Sequence, residues 1–287
     1  MSERIVLLGA NGQLGSQIQK SVPANVTLTA LTSKQLDICN ATQLKELVAQ
    51  FNPTTIINAA AYTQVDKAES EKQQAFAVNS EALATLAASC PDSCRLIHFS
   101  TDFVFDGSQS RPYQPDDITS PLSVYGASKL AGEQKLLALR PDSLLIRTSW
   151  LYSAQGKNFM TTMLKLMAER EELGIVDDQL GTPTSVISLA EVLWCFVADR
   201  DLHGIYHWSD QGAASWYDFA CEIQKQAYEL GLIDRKIPIH AIRTEAYPTP
   251  AKRPAYSVLD KSATYKVTGF AGTLWQEALK EVLRELA

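Results

Sequence analysis

A chain of 287 residues, 46% hydrophobic and 20% charged, is long enough for one large α/β unit or two closely joined domains with a substantial core. Its 26 basic and 32 acidic side chains leave a net charge of −6; this argues against a nucleic-acid partner, though not against a local basic pocket for a phosphate. No apolar run approaches the roughly 20 residues of a membrane span, so no membrane partner is expected. The five scattered cysteines (Cys39, Cys90, Cys94, Cys195, Cys221) complete no metal site and read as free thiols of a cytoplasmic protein.

Met1 to Gly9 reads as a first strand running into a glycine turn, not as a signal peptide. Its apolar run, Ile5 to Leu8, is followed by Gly9, Gly12 and Gly15, spaced GxxGxxG where the standard dinucleotide fingerprint is GxGxxG. Glycines at a first strand–helix junction let backbone amides approach a pyrophosphate at the positive end of the helix. Gly9, Asn11, Gly12, Gln13, Leu14 and Gly15 are therefore expected to bind the cofactor. Val26 to Leu31 is a second strand, and no acid ends it: Thr32, Ser33 and Lys34 follow. Nothing there repels a 2′-phosphate, so NADPH is favoured and NADH remains acceptable. Asp37 and Ile38 are placed beside the adenine.

Further strands are expected at Thr55 to Asn58, Arg95 to Ser100 and Ser143 to Thr148, with helices over Ala41 to Phe51, Phe76 to Cys90 and Ser123 to Leu139. The alternation predicts an α/β fold, a Rossmann-like doubly wound parallel sheet covered on both faces, with ligands at the carboxyl ends of its strands. Ala60, Ala61 and Tyr62 follow the third strand, where small residues let a cofactor lie close to the backbone. Thr101 and Asp102 emerge from the fourth. Tyr125 and Lys129, four residues apart, share one helical face. A phenol titrates near pH 10, and a neighbouring lysine is expected to pull it towards the working range.

After Trp150 the pattern changes. Helices are expected over Asn158 to Glu172, Val186 to Ala198, Trp216 to Leu230 and Thr273 to the end, with a loop at Asp177 to Thr184 and a strand at Ile205 to Trp208 that returns to the main sheet. Residues 1–150 with about 185–208 then form the nucleotide-binding domain, and 151–184 with 209–287 a smaller, discontinuous C-terminal substrate domain. His98 reads as a satisfied core histidine, and His203, His207 and His240 lack metal spacing. Glu277, Glu281 and Glu285 share a helical face that reads as an exposed polar stripe, and no metal is assigned.

Together the glycine turn, Asn58-Ala59-Ala60, Thr101 and the Tyr125/Lys129 pair resemble the extended short-chain dehydrogenase/reductases. Longer strings are similar to the dTDP-4-dehydrorhamnose reductases: Asn58 to Glu69, Ser100 to Gly107, Ser120 to Glu133, Arg147 to Tyr152, Asp177 to Thr184 and Tyr247 to Pro254. The resemblance implies NADPH-dependent reduction of the C4 keto group of dTDP-4-dehydro-6-deoxy-L-mannose. Tyr125 would protonate the oxygen, Thr101 bind it, and Lys129 hold the cofactor ribose and tune Tyr125. Asp102 and Trp150 would lie against the deoxysugar, with core packing as the other reading of Trp150. Arg253 would meet the diphosphate or else form a surface salt bridge. Some members of this family carry Mg²⁺ at a dimer contact, so a homodimer is admitted while the ion stays unassigned. Phe103, standing where related 4,6-dehydratases need an acid, disfavours water elimination. An epimerase shares the Tyr and Lys, and a non-catalytic regulatory subunit of the methionine adenosyltransferase beta type is the competitor from another class.

Overall fold

The computed structural model describes residues 3–287; Met1 and Ser2, where the N-terminal run begins, lie outside it. Six parallel strands form the central sheet. The first five are β1 (Glu3–Leu8), β2 (Val26–Leu31), β3 (Thr55–Asn58), β4 (Arg95–Thr101) and β5 (Leu144–Thr148), and the sixth is Gly204–His207. Their order across the sheet is β2, β1, β3, β4, β5 and then Gly204–His207. The chain reverses direction across the sheet between β1 and β3, and that switch point opens the crevice in which such sheets hold nucleotides. Asp37 and Ile38 belong to a loop beyond β2, not to a strand of the sheet.

The strands are apolar on both faces because both faces are covered. Ile5, Leu7, Ile97 and Ile146 point to one side, where Leu14 and Ile18 of helix α1 (Gln13–Lys20) meet Leu189, Leu193 and Phe196 of helix Val186–Ala198. Val6, Leu8, Ile56, Leu96 and Leu145 point to the other, against Leu44 and Leu47 of helix α2 (Ala41–Phe51), Leu83 and Leu86, and Leu136. Asn40 sets the start of α2, its side chain accepting hydrogen bonds from the amides of Thr42 and Gln43. A separate core gathers helices Phe159–Glu169, Trp216–Glu229 and Trp275–Arg284 around Met163, Phe219, Ile223 and Leu279.

The strand Gly204–His207 pairs with β5, returning to the main sheet as its apolar run suggested. The helix expected from Phe76 begins at Lys72 and passes through a π-helical stretch at Ala77–Glu81 before closing at Ser89. Asn158 caps a helix that ends at Glu169, and Leu173–Val176 leaves as a strand paired with Ile239–Ile242. Leu180–Gly181 and Thr184, expected as loop, belong to two-residue strands, the second being Thr184–Ser185. Pairs this short carry no period for a sequence to display. Among the described residues no helix is long and apolar enough to cross a membrane.

Helix Val124–Leu139 lies unusually close to its neighbours. A Cβ on Gly126 would run into the carbonyl of Phe103, and one on Gly132 into that of Asn79. Glu133 of this helix is buried, and its carboxylate receives the Arg147 guanidinium of β5 at 2.7 Å. Arg147 also donates to the Pro115 carbonyl. Glu133→Gln would leave the guanidinium charge uncompensated, and should cost roughly 3–5 kcal/mol of unfolding free energy, read by urea denaturation.

Candidate active site

The glycine turn is built by contacts that no side chain permits. Gly9 has φ +83°, and a Cβ there would lie 2.6 Å from the Ala60 nitrogen. On Gly15 a Cβ would overlap the Gly9 carbonyl, whereas at Gly12 it would meet only that carbonyl oxygen, at 3.3 Å. Gly9 and Gly15 thus close the turn on itself, while Gly12 leaves one side open. Gly12 starts α1 without a side-chain cap, so the first-turn amides have no side-chain acceptor. This is a cradle suited to a pyrophosphate.

Beside it lies a cavity of about 460 Å³, lined by Gly9, Ser33, Asp37, Ile38, Ala60 and Ala61 together with Leu36, Cys39, Gln74, Ala77 and Val78. The Thr32 hydroxyl donates instead to Gln35, and Tyr62 turns its phenol to Glu71. Asn11 is exposed and Leu14 is core. The Gln13 side-chain oxygen accepts from Ser153 and Asn158, which ties the turn to the second half of the chain. Gln74, Ala77 and Val78 went unnoticed in the sequence, because helical spacing does not tell which residues of a helix meet a ligand.

At the carboxyl end of β4 the Thr101 hydroxyl donates to Asp102 at 3.1 Å and accepts from the Phe103 amide. Burial pushes the Asp102 carboxyl up to about 6, against the pull of hydrogen bonds from Ser257 and Thr101. Thr101 is in register with Thr148 of β5. Among the described residues, three buried oxygens, Ser100 Oγ, Asp102 Oδ2 and Thr148 Oγ1, find no hydrogen-bond partner. Buried polar atoms are rarely left so; Thr148 shares the sheet face of Thr101, whereas Ser100 points to the opposite face. Thr148 was not singled out from the sequence, since one threonine at a strand end has no distinguishing pattern.

Ser123 caps helix Val124–Leu139, and the close approach at Gly126 brings Tyr125 beside Phe103, ring edge to ring face with centroids 5.9 Å apart. Desolvation pushes the Tyr125 phenol up to about 12; hydrogen bonding with Thr101 opposes this and the Asp102 charge adds to it. The expected lowering by Lys129 is thereby corrected. Lys129 is buried, and burial pushes it down to about 8 against the pull of Glu133. Its Nζ donates to the Phe99 carbonyl at 2.7 Å and lies 3.1 Å from His98 Nε2. His98 is a buried, satisfied histidine as expected, but its partner is this lysine.

Two expected substrate residues already have partners. Trp150 holds a left-handed backbone, φ +45°, rare for so large a residue. Its ring stacks on Trp216 at 3.5 Å, and a Cβ on Gly181 would touch it at 2.6 Å. Arg253 forms a two-pronged pair with Asp66, at 2.8 and 3.0 Å. Among the described residues no three metal-ligating side chains could hold an ion together; Glu277 and Glu281 line a separate cavity, and Glu285 pairs with Lys20.

A nucleotide cradle at the sheet's switch point, with a Thr–Tyr–Lys set on the adjoining strand end and helix, defines a nicotinamide-dependent reductase of the extended short-chain dehydrogenase/reductase class. The model of the RmlD substrate binding domain family matches residues 3–287. A dTDP-4-dehydrorhamnose reductase of Aggregatibacter actinomycetemcomitans is 41% identical, over 97% of this chain and 98% of that one. The crystal structure of a dTDP-4-dehydrorhamnose reductase from Bacillus anthracis in complex with NADP has TM-score 0.92 at 35% identity, covering 99% of this chain and 100% of that one. A UDP-glucose 4-epimerase of Thermus thermophilus, at TM-score 0.83 and 16% identity over 98% of each chain, shares the fold alone. The chain belongs to the dTDP-4-dehydrorhamnose reductase family.

The glycines can be told apart by experiment. Gly12→Ala should keep the melting temperature within a few degrees yet weaken NADPH binding about tenfold or more, by fluorescence titration. Gly15→Ala should lower stability by roughly 1–3 kcal/mol, because the backbone itself must move.

Proposed function

We propose that this chain reduces the C4 carbonyl of dTDP-4-dehydro-6-deoxy-L-mannose to give dTDP-L-rhamnose, with NADPH as reductant. The observation that carries the reading is the meeting of Thr101 and Tyr125, hydrogen-bonded beside Asp102 at the carboxyl end of β4, on the same edge of the parallel sheet as the glycine turn after β1. Membership of the family and the NADP complex of a relative support both substrate and cofactor. NADPH, when bound, supplies the hydride that C4 receives.

The chain's own residues manage the oxygen. As C4 gains its new bond, the carbonyl π pair moves onto O4. Thr101 orients that oxygen, and Tyr125 gives it the phenolic proton. A phenol pushed up to about 12 is protonated at neutral pH, as the donor in a reduction must be. An alkoxide is a much stronger base than phenolate, so the transfer runs downhill. Lys129 holds the cofactor ribose beside Tyr125. Phe103 offers no acid or base at the position where elimination of water would need one, and its ring instead walls the phenol.

In this reading residues 1–150 with about 185–208 carry the cofactor, and 151–184 with 209–287 close over the sugar nucleotide. Trp150, braced by Trp216, presents its remaining edge to the deoxysugar. Arg253 reaches the diphosphate by exchanging one anion, Asp66, for another. A guanidinium suits both.

NADPH oxidation followed at 340 nm on adding the 4-keto sugar nucleotide tests the assignment. Tyr125→Phe should lower turnover about 10²- to 10⁴-fold while NADPH binding stays within about twofold. Near-normal turnover of the variant would remove Tyr125 as proton donor. An unmodified protein that binds NADPH but does not oxidise it would point to a regulatory binding subunit instead.

A further inference from the structure

His98 sits in the middle of β4 beside its register partner, Asn58, at the end of β3. Both are buried. His98 Nδ1 lies 3.2 Å from Asn58 Nδ2, and its Nε2 lies 3.1 Å from Lys129 Nζ. The Ala60 amide, in the wall of the nucleotide cavity, donates to Asn58 Oδ1 at 3.1 Å. That bond fixes which way the Asn58 amide points, because two N–H donors cannot face each other. The NH₂ group of Asn58 must therefore be the end that meets His98.

An amide nitrogen donates and does not accept, so His98 Nδ1 is the acceptor. A neutral imidazole then carries its single proton on Nε2, directed at the lysine. An ammonium has three donors and no lone pair, whereas a neutral amine has one lone pair to offer. We propose that Asn58 and His98 form a polar relay that positions Lys129, the imidazole Nε2–H donating to the nitrogen of the neutral lysine. Donation then runs in one direction, from Ala60 to Asn58, to His98 and to Lys129, which passes a proton of its own to the Phe99 carbonyl. One N–H of Lys129 is left, and the relay dictates where it points. His98 and Asn58 are positioning residues, because they act through Lys129.

The relay opposes the charged lysine. To accept an ammonium hydrogen, His98 would have to move its proton to Nδ1, where it would meet the Asn58 NH₂. Turning that amide over would only transfer the conflict to the Ala60 N–H. The charged groups around Lys129 do not reverse this preference. Glu133, one turn along the helix, is occupied through both oxygens by Arg147 of β5. Tyr125, one turn back, keeps its proton, and Asp102 lies beyond the end of β4. Burial acts in the same sense, pushing Lys129 down to about 8 and holding His98 well below the usual imidazole range, hence neutral.

The inference rests on the reading that Lys129 works in the site, yet its test does not depend on turnover. Long-range ¹⁵N–¹H spectra of the unmodified protein should show His98 as the Nε2–H tautomer at pH 9, above the Lys129 midpoint, where the amine is neutral. The Nδ1–H tautomer, or a protonated ring, at that pH would overturn the relay. The ¹³Cε resonance of Lys129, assigned by its loss in Lys129→Met, should titrate near 8. In Asn58→Asp a carboxylate accepts from both neighbours and reverses the chain, so the midpoint should rise by about one unit or more. Asn58→Leu adds no charge and frees the tautomer, and should raise it by roughly half a unit. An unchanged midpoint in both variants, with native melting curves, would refute the proposal; where a variant does not fold, the tautomer spectrum decides alone. The pH profile of kcat should move with the lysine midpoint. If the unmodified protein shows no turnover at all, the proposed function fails while the tautomer and titration results stand.

Discussion

Everything chemical in this protein depends on how close one helix can come to the sheet. Helix Val124–Leu139 has glycine at the two points where it crosses its neighbours, against the Phe103 carbonyl and the Asn79 carbonyl. A methyl group at either place would push the helix outward. Because the helix can settle, Tyr125 reaches the strand end that holds Thr101, Lys129 is buried against Phe99 and His98, and Glu133 meets Arg147 inside the core. Three consequences a turn apart follow from one approach distance.

The burial that positions these groups also sets their protonation. Desolvation moves an acid and a base in opposite directions. It keeps the proton on Tyr125, weakens the hold of Lys129 on its charge, and raises the Asp102 carboxyl to about 6. The site therefore presents a phenol ready to donate, where residue spacing alone suggested a phenol whose acidity the lysine would raise. The lysine that was to stabilise a phenolate is itself engaged elsewhere, with a backbone carbonyl and an imidazole. Such commitments belong to three-dimensional neighbours and leave no trace in a YxxxK spacing.

Much of the framework was nonetheless readable. β2, β3, α2 and the helix Val186–Ala198 have the bounds their apolar patterns indicated, because two-sided burial leaves a nearly unbroken apolar strand and a helix core leaves its period. The glycine turn was readable for a different reason: only glycine fits where a Cβ would strike backbone. Less was readable past Trp150. The pairing of Leu173–Val176 with Ile239–Ile242, the stacking of Trp150 on Trp216 and the clasp of Asp66 on Arg253 join residues from 66 to 187 positions apart. Each is a choice among many compatible partners, decided by how the helices of the second core pack.

The sequence by itself determined the kind of machine: a parallel sheet with a phosphate-binding turn at its first junction, and a hydroxyl, a phenol and an amine placed to follow. Local physics suffices there, since glycine's tolerance, helical spacing and strand burial act over a few residues. Tertiary structure alone decided the state of those groups. The direction in which Lys129 and His98 share hydrogens, the proton retained by Tyr125 and the anion paired with Arg253 all depend on desolvation and on partners from distant segments. These are properties of the folded interior, where a polar atom must take whatever partner the packing leaves within reach.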